Sequence, residues 1–168
     1  MNDQASPGLS TFEERLRAGR FVMTAEIAPP VSADAQELRS KAAPLKGLAD
    51  AVNVTDGAGA RAHMAALAAA SILIGMEIEP ILQITCRDKN RIALQSELMG
   101  AAALGVRNLL LLTGDDPKAG DQPDTKPVFD VNSATLIETA RRLRDEGDRK
   151  STRLNSSHES VSRMPSSA

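Results

Sequence analysis

The sequence predicts an α/β fold with a parallel sheet, and three observations predict it. Four apolar runs, FVMTAEI (21–27), AVNVT (51–55), PILQIT (80–85) and RNLLLLT (107–113), recur through the chain. They start about 30 residues apart, the length of a strand, a helix and two loops. Helix-forming stretches at 33–48, 61–74, 89–104 and 132–144 follow them, rich in Ala, Leu, Gln, Glu and Arg with apolar positions at helical spacing. Successive strand–helix units with apolar strands imply parallel strands covered by helices.

A further helix is predicted from Thr11, whose hydroxyl and Glu14 have the spacing of a capping box. Pro44 should kink or shorten the helix at 33–48. Gly47, Gly75, Gly105 and Gly147 fall at or near helix ends, where a residue with positive φ commonly closes the last turn. Two architectures fit this pattern, a doubly wound sheet and a β/α (TIM) barrel. The loop after the first strand, APPVSAD, holds no glycine, and DGAGA (56–60) after the second fits the dinucleotide fingerprint poorly. Four units would make half of an eight-unit barrel, which needs about 250 residues. Residues 21–148 then form the partial barrel, with an N-terminal extension and short helix at 1–20.

Composition narrows the function classes. The 168 residues are 42% hydrophobic and 25% charged, with a formal net charge of −2, as in a soluble globular protein. Only 2% are aromatic and there is no basic excess, which argues against a nucleic-acid surface. One cysteine, Cys86, excludes an internal disulfide framework and fits a reducing compartment. The longest apolar stretch, 64–76, is interrupted and too short to span a bilayer, and the N-terminus lacks a signal-peptide pattern. A cytoplasmic location is expected. From 149 to 168 apolar residues nearly vanish and Ser dominates. This segment is expected to be a disordered, non-native tail, similar to tails on unrelated translated sequence assemblies, and its His158 is set aside with it.

In either architecture ligands meet the carboxyl ends of the strands. Polar residues gather there: Glu26, then Thr55-Asp56-Gly57, then Gln83 with Thr85-Cys86-Arg87-Asp88, then Thr113-Gly114-Asp115-Asp116. Glu26 stands in an apolar strand, where burial would favour its protonated form, the property a general acid needs. A structural ion pair with Arg87 or another basic residue is the competing reading. Asp115 follows a glycine that would let a ligand approach, although it also reads as a turn residue. Asp88 is expected to cap the next helix, and Arg87 to reach a phosphate or carboxylate or to lie in a solvated loop. Gln83 is an amide in an apolar strand and needs a partner. Cys86 reads as a buried inert thiol rather than a nucleophile. With so few His and Cys, no metal site is expected.

The segments AEIAPP, VTDGAGA, QITCRDKNR and NLLLLTGDDP, followed by KPVFDVNSATLI, resemble in order and spacing the methylenetetrahydrofolate reductase family, over roughly 11–147. The resemblance implies a flavin-dependent β/α barrel in which NAD(P)H reduces FAD and 5,10-methylenetetrahydrofolate is then reduced to 5-methyltetrahydrofolate. It implies that Glu26 is the general acid and that Asp115 lies near flavin and folate. Thr55, Asp56, Ala58, Gln83, Thr113 and Gly114 match positions that contact flavin or nicotinamide, and Phe129 and Asp130 match a loop contacting FAD. Many members carry His where Gln83 stands, an aromatic residue where Asp56 stands and Arg where Thr113 stands. Folate is then the substrate, with a homo-oligomer possible in the full-length protein and no nucleic-acid or membrane partner. A β/α-barrel lyase or pterin-binding methyltransferase fragment, or a non-catalytic fragment, are the competing readings.

Overall fold

The computed structural model describes residues 10–146, so the expected tail, Gly147 and the first nine residues lie outside the described residues. In chain order the elements are α1 (Thr11–Arg17), β1 (Thr24–Ile27), α2 (Ala35–Ala42), β2 (Ala51–Val54), α3 (Ala66–Ile74), β3 (Pro80–Thr85), α4 (Arg91–Ala103), β4 (Asn108–Leu112) and α5 (Ser133–Glu146). Short 3-10 turns occupy Ala43–Leu45, Ala58–Ala60 and Pro117–Ala119. Every neighbouring strand pair is parallel, and the spatial order β1-β2-β3-β4 follows the chain without reversal. Among the described residues β1 and β4 remain the two edges, so the sheet is open rather than closed into a barrel.

Alternation along the strands gives this sheet two unlike faces. Ala25, Ile27, Val52, Val54, Leu82, Ile84 and Leu111 share one face, where they pack into a core with Leu38 of α2, Leu73 of α3, Leu94 and Leu98 of α4, and Leu136 of α5. The register puts Glu26 beside Asn53, Asn53 beside Ile81, and Gln83 beside Leu110 on the other face. This second face is largely polar, and no described helix packs over it: Glu26 is exposed, and Leu110 keeps 40% of its surface. Helix α1 is fixed at the amino end of the strands. There Ser10 Oγ donates to Asn108 Oδ1, and the Phe12 amide and Asn108 Nδ2 both donate to Glu79.

Several local expectations shift, each for a physical reason. Strand β1 starts at Thr24 rather than residue 21, because pairing begins at Thr24 opposite Ala51, and Phe21 stands 88% exposed. The α1 cap is Ser10, whose hydroxyl accepts from the Glu13 amide, one residue earlier than the Thr11–Glu14 pair. Helix α3 starts at Ala66 rather than 61, because the backbone is extended at Arg61 (φ −116°, ψ 153°) and turns into the helix only after Ala65 (ψ 131°). Pro44 does end its helix early: α2 stops at Ala42. Gly47 and Gly105 are left-handed as expected, but Gly75 is helical (φ −63°), and Glu77 takes the left-handed conformation instead.

Candidate active site

The carboxyl rim of the sheet collects the polar residues of all four strands. Glu26 lies one residue before the end of β1 and Asp115 lies just beyond β4, so both acids stand at the same end, at opposite edges. Both are exposed. The burial expected for Glu26 in an apolar strand is therefore not found, because Glu26 projects on the uncovered polar face. Arg87 does not pair with it; instead the Gln83 amide Nε2 donates to Glu26 Oε2 at 3.4 Å. Gln83 itself is 7% exposed, at the centre of that face.

Thr55 stands beside them with 9% of its surface exposed, and its hydroxyl is the one buried side-chain polar atom without a hydrogen-bond partner among the described residues. A buried unpaired hydroxyl is costly, which points to a group that is meant to meet it. Asp56 behaves oppositely. Its Oδ2 accepts from the Thr85 amide (2.9 Å), the Thr85 hydroxyl (3.1 Å) and Lys89 Nζ (2.9 Å). Its carboxylate is thus held by three donors of the protein. Lys89 also reaches Glu97 at 2.7 Å, so one ammonium bridges two mostly buried carboxylates. Burial opposes the charge on Lys89, but Asp56 and Glu97 outweigh it and hold its pKa above the usual lysine range. Burial pushes Glu97 up, against the pull of Lys89. No local sequence signal marks Lys89 and Glu97, since a lysine beside a helix start reads as solvated.

Arg87 is 4% exposed and turned inward rather than toward a ligand. Asp88 binds its guanidinium at 2.8 Å, so the cap of α4 falls to Asn90, whose Oδ1 accepts from the Ile92 and Ala93 amides. Cys86 is buried, and that burial pushes its thiol up, with Lys89 pulling the other way. Its amide donates to both Leu112 O and Thr113 O, carrying the β3–β4 ladder to the rim. Thr113 is occupied at the start of α5, where its hydroxyl donates to Ser133 Oγ and accepts from the Ser133 amide. Gly114 is left-handed (φ +96°), and Ala58 sits half-buried in the 3-10 turn after Gly57.

Phe129 has positive φ (39°) and is 38% exposed. The neighbouring Asp130 carboxylate is committed to Arg91, accepting from its amide and its guanidinium. Those bonds from Arg91 bring the Asp130 pKa down to about 2. A depressed carboxylate stabilises the fold above its ordinary value near 3.8, and that contribution is lost as pH falls through about 2. Asp130→Asn should therefore lower the unfolding free energy measured in urea near neutrality by less than about 1 kcal/mol, the scale of an exposed pair. The gap should narrow toward about pH 3.

Gly57 makes a second local prediction. It is left-handed (φ +60°), and a Cβ there would run into Arg87 Nη2. Gly57→Ala should cost roughly 1–3 kcal/mol in urea unfolding, from backbone strain and displacement of the guanidinium.

The fold and its rim define an α/β protein of the class that meets ligands at the carboxyl ends of parallel strands. The family model described as methylenetetrahydrofolate reductase matches residues 11–156. The chain belongs to that family, a family of one-carbon oxidoreductases. No curated protein matches it. Among the described residues no helix is long and apolar enough to cross a membrane.

Proposed function

We propose that the protein takes part in flavin-dependent reduction of 5,10-methylenetetrahydrofolate to 5-methyltetrahydrofolate with NAD(P)H as hydride source. In this reading the open sheet is the first half of a β/α barrel wall, and its uncovered polar face is the barrel interior. The observation that carries the reading is the convergence on this face of the Glu26–Gln83 pair and the partnerless Thr55 hydroxyl. An apolar covering layer would leave the Thr55 hydroxyl unpaired and strip water from the Glu26 carboxylate, whereas a polar ring with donors and acceptors along its edge would satisfy both.

These residues fit a flavin. Thr55 and Gln83 would hydrogen-bond its ring edge, Gly114 would let it approach the β4 loop, and Phe129 would offer apolar surface. Asp56 and Asp130 would act behind this layer, since Lys89, Thr85 and Arg91 already hold their carboxylates. The chemistry supplied by bound FAD is hydride transfer from NAD(P)H to the folate. Glu26 would deliver a proton to a nitrogen of the methylene bridge, opening it to an electrophilic iminium. Asp115, across the rim, would steady that cation by its charge.

The test is expression of the chain, incubation with FAD, and assay with NAD(P)H and 5,10-methylenetetrahydrofolate. Bound yellow flavin and NAD(P)H-dependent formation of methyltetrahydrofolate support the reading. A colourless protein inactive toward the folate overturns it.

A further inference from the structure

Three segments of the carboxyl rim meet on one residue that is almost wholly buried beneath it. Arg87 follows β3 and is 4% exposed. Its Nη1 and Nη2 lie 3.4 and 3.3 Å from Gly57 O in the loop after β2, the same oxygen that accepts from the Ala60 amide. Its Nε and Nη2 bind Asp88 at 2.9 and 2.8 Å, which orients the fork. Its Cβ lies under Gly114, where an added Cβ would approach it to 3.1 Å. Its carbonyl accepts from the Val128 amide at 2.7 Å, tying in the segment that leads to α5. The loops after β2 and β4 also touch directly, because Gly120 packs so closely on the Ala60 backbone that no Cβ fits between them.

A guanidinium is expensive to bury, and core packing alone favours an apolar side chain at such a position. What an apolar residue cannot supply is a planar fork that reaches a loop carbonyl and a carboxylate together. We propose that Arg87 is a positioning residue that holds the 57–60, 114–120 and 126–130 segments as one rim and thereby sets where Asp115 and Thr55 stand. It acts through these loops and touches no ligand itself. Its bearing on cofactor binding rests on the flavin reading; its hold on the loops does not.

The experiment compares the parent chain with Arg87→Lys and Arg87→Met by amide hydrogen exchange, without ligand, and by FAD titration. The Ala60, Ala119, Gly120 and Val128 amides report on the rim, and the β2 and β3 amides report on the fold. Exchange at the rim should rise by about tenfold or more in both variants while the strands stay protected. Lysine should not restore it, because it keeps the charge without the fork. FAD affinity should fall by roughly 10- to 100-fold in both, the scale of a displaced binding group. Rim protection equal to that of the parent in either variant overturns the proposal, as does loss of rim and strand protection together in both. A parent chain that binds no FAD overturns the flavin reading alone, and the exchange comparison still decides the role of Arg87.

Discussion

A Glu26→Gln variant is expected to form methyltetrahydrofolate roughly 10²- to 10⁴-fold more slowly than the parent protein, the usual contribution of a positioned acid. Glutamine keeps the size of the side chain and a carbonyl oxygen that can still accept from Gln83 Nε2, now 3.4 Å from Glu26 Oε2. It cannot deliver a proton. The loss should fall on the folate half-reaction only. Reduction of the flavin by NAD(P)H requires no acid at this position, so its rate should match that of the parent in a rapid-mixing experiment. Equal rates in both half-reactions would remove Glu26 from the chemistry. A parallel fall in both would mean that the substitution had damaged the site as a whole.

Periodicity was enough to locate the strands and the faces they present, but not what covers each face. The four runs become four parallel strands, and the polar tips do assemble at one end, because both follow from local patterning and chain direction. The environment of Glu26 does not follow in the same way. Alternation places it opposite Ala25 and Ile27, yet burial depends on whether another element closes over the sheet, and among the described residues none does. The strand-end acids divide along similar lines. Asp56 and Asp115 look equally available in the sequence, but Lys89 and Thr85 converge on Asp56 from β3 and the loop after it, while Asp115 stays exposed. Such pairings depend on register between strands about 30 residues apart, which no local motif encodes. Arg87 divides in the same way: the carboxylate it reaches is that of Asp88 beside it, whereas its contact with the Gly57 carbonyl involves a neighbour in space only.

Lys89→Met should be the most destabilising single change at this rim, and its cost should depend on pH. Lys89 retains 23% of its side-chain exposure, and Asp56 and Glu97 retain 14% each, so water screens the cluster only in part. Methionine matches the length of the stem but leaves two carboxylates facing one another without their cation. Removing one partner of a buried pair costs about 3–5 kcal/mol, and the residual exposure here puts the expected loss near the lower end, about 3 kcal/mol at neutral pH. The sign of the pH effect follows from Glu97, which burial already holds above the ordinary glutamate value. A carboxyl with a raised folded-state pKa favours the native state most when protonated, and that advantage fades as pH rises through the folded value. Without Lys89 to pull it down, Glu97 should rise further. The variant should therefore recover stability relative to the parent as pH is lowered from neutrality toward the ordinary glutamate range. Lys89 itself titrates far above this window and contributes no slope there. Urea midpoints at several pH values decide the matter: a loss under about 1 kcal/mol that is flat with pH is the signature of an exposed surface pair, and would mean that Asp56 and Glu97 do not depend on this lysine.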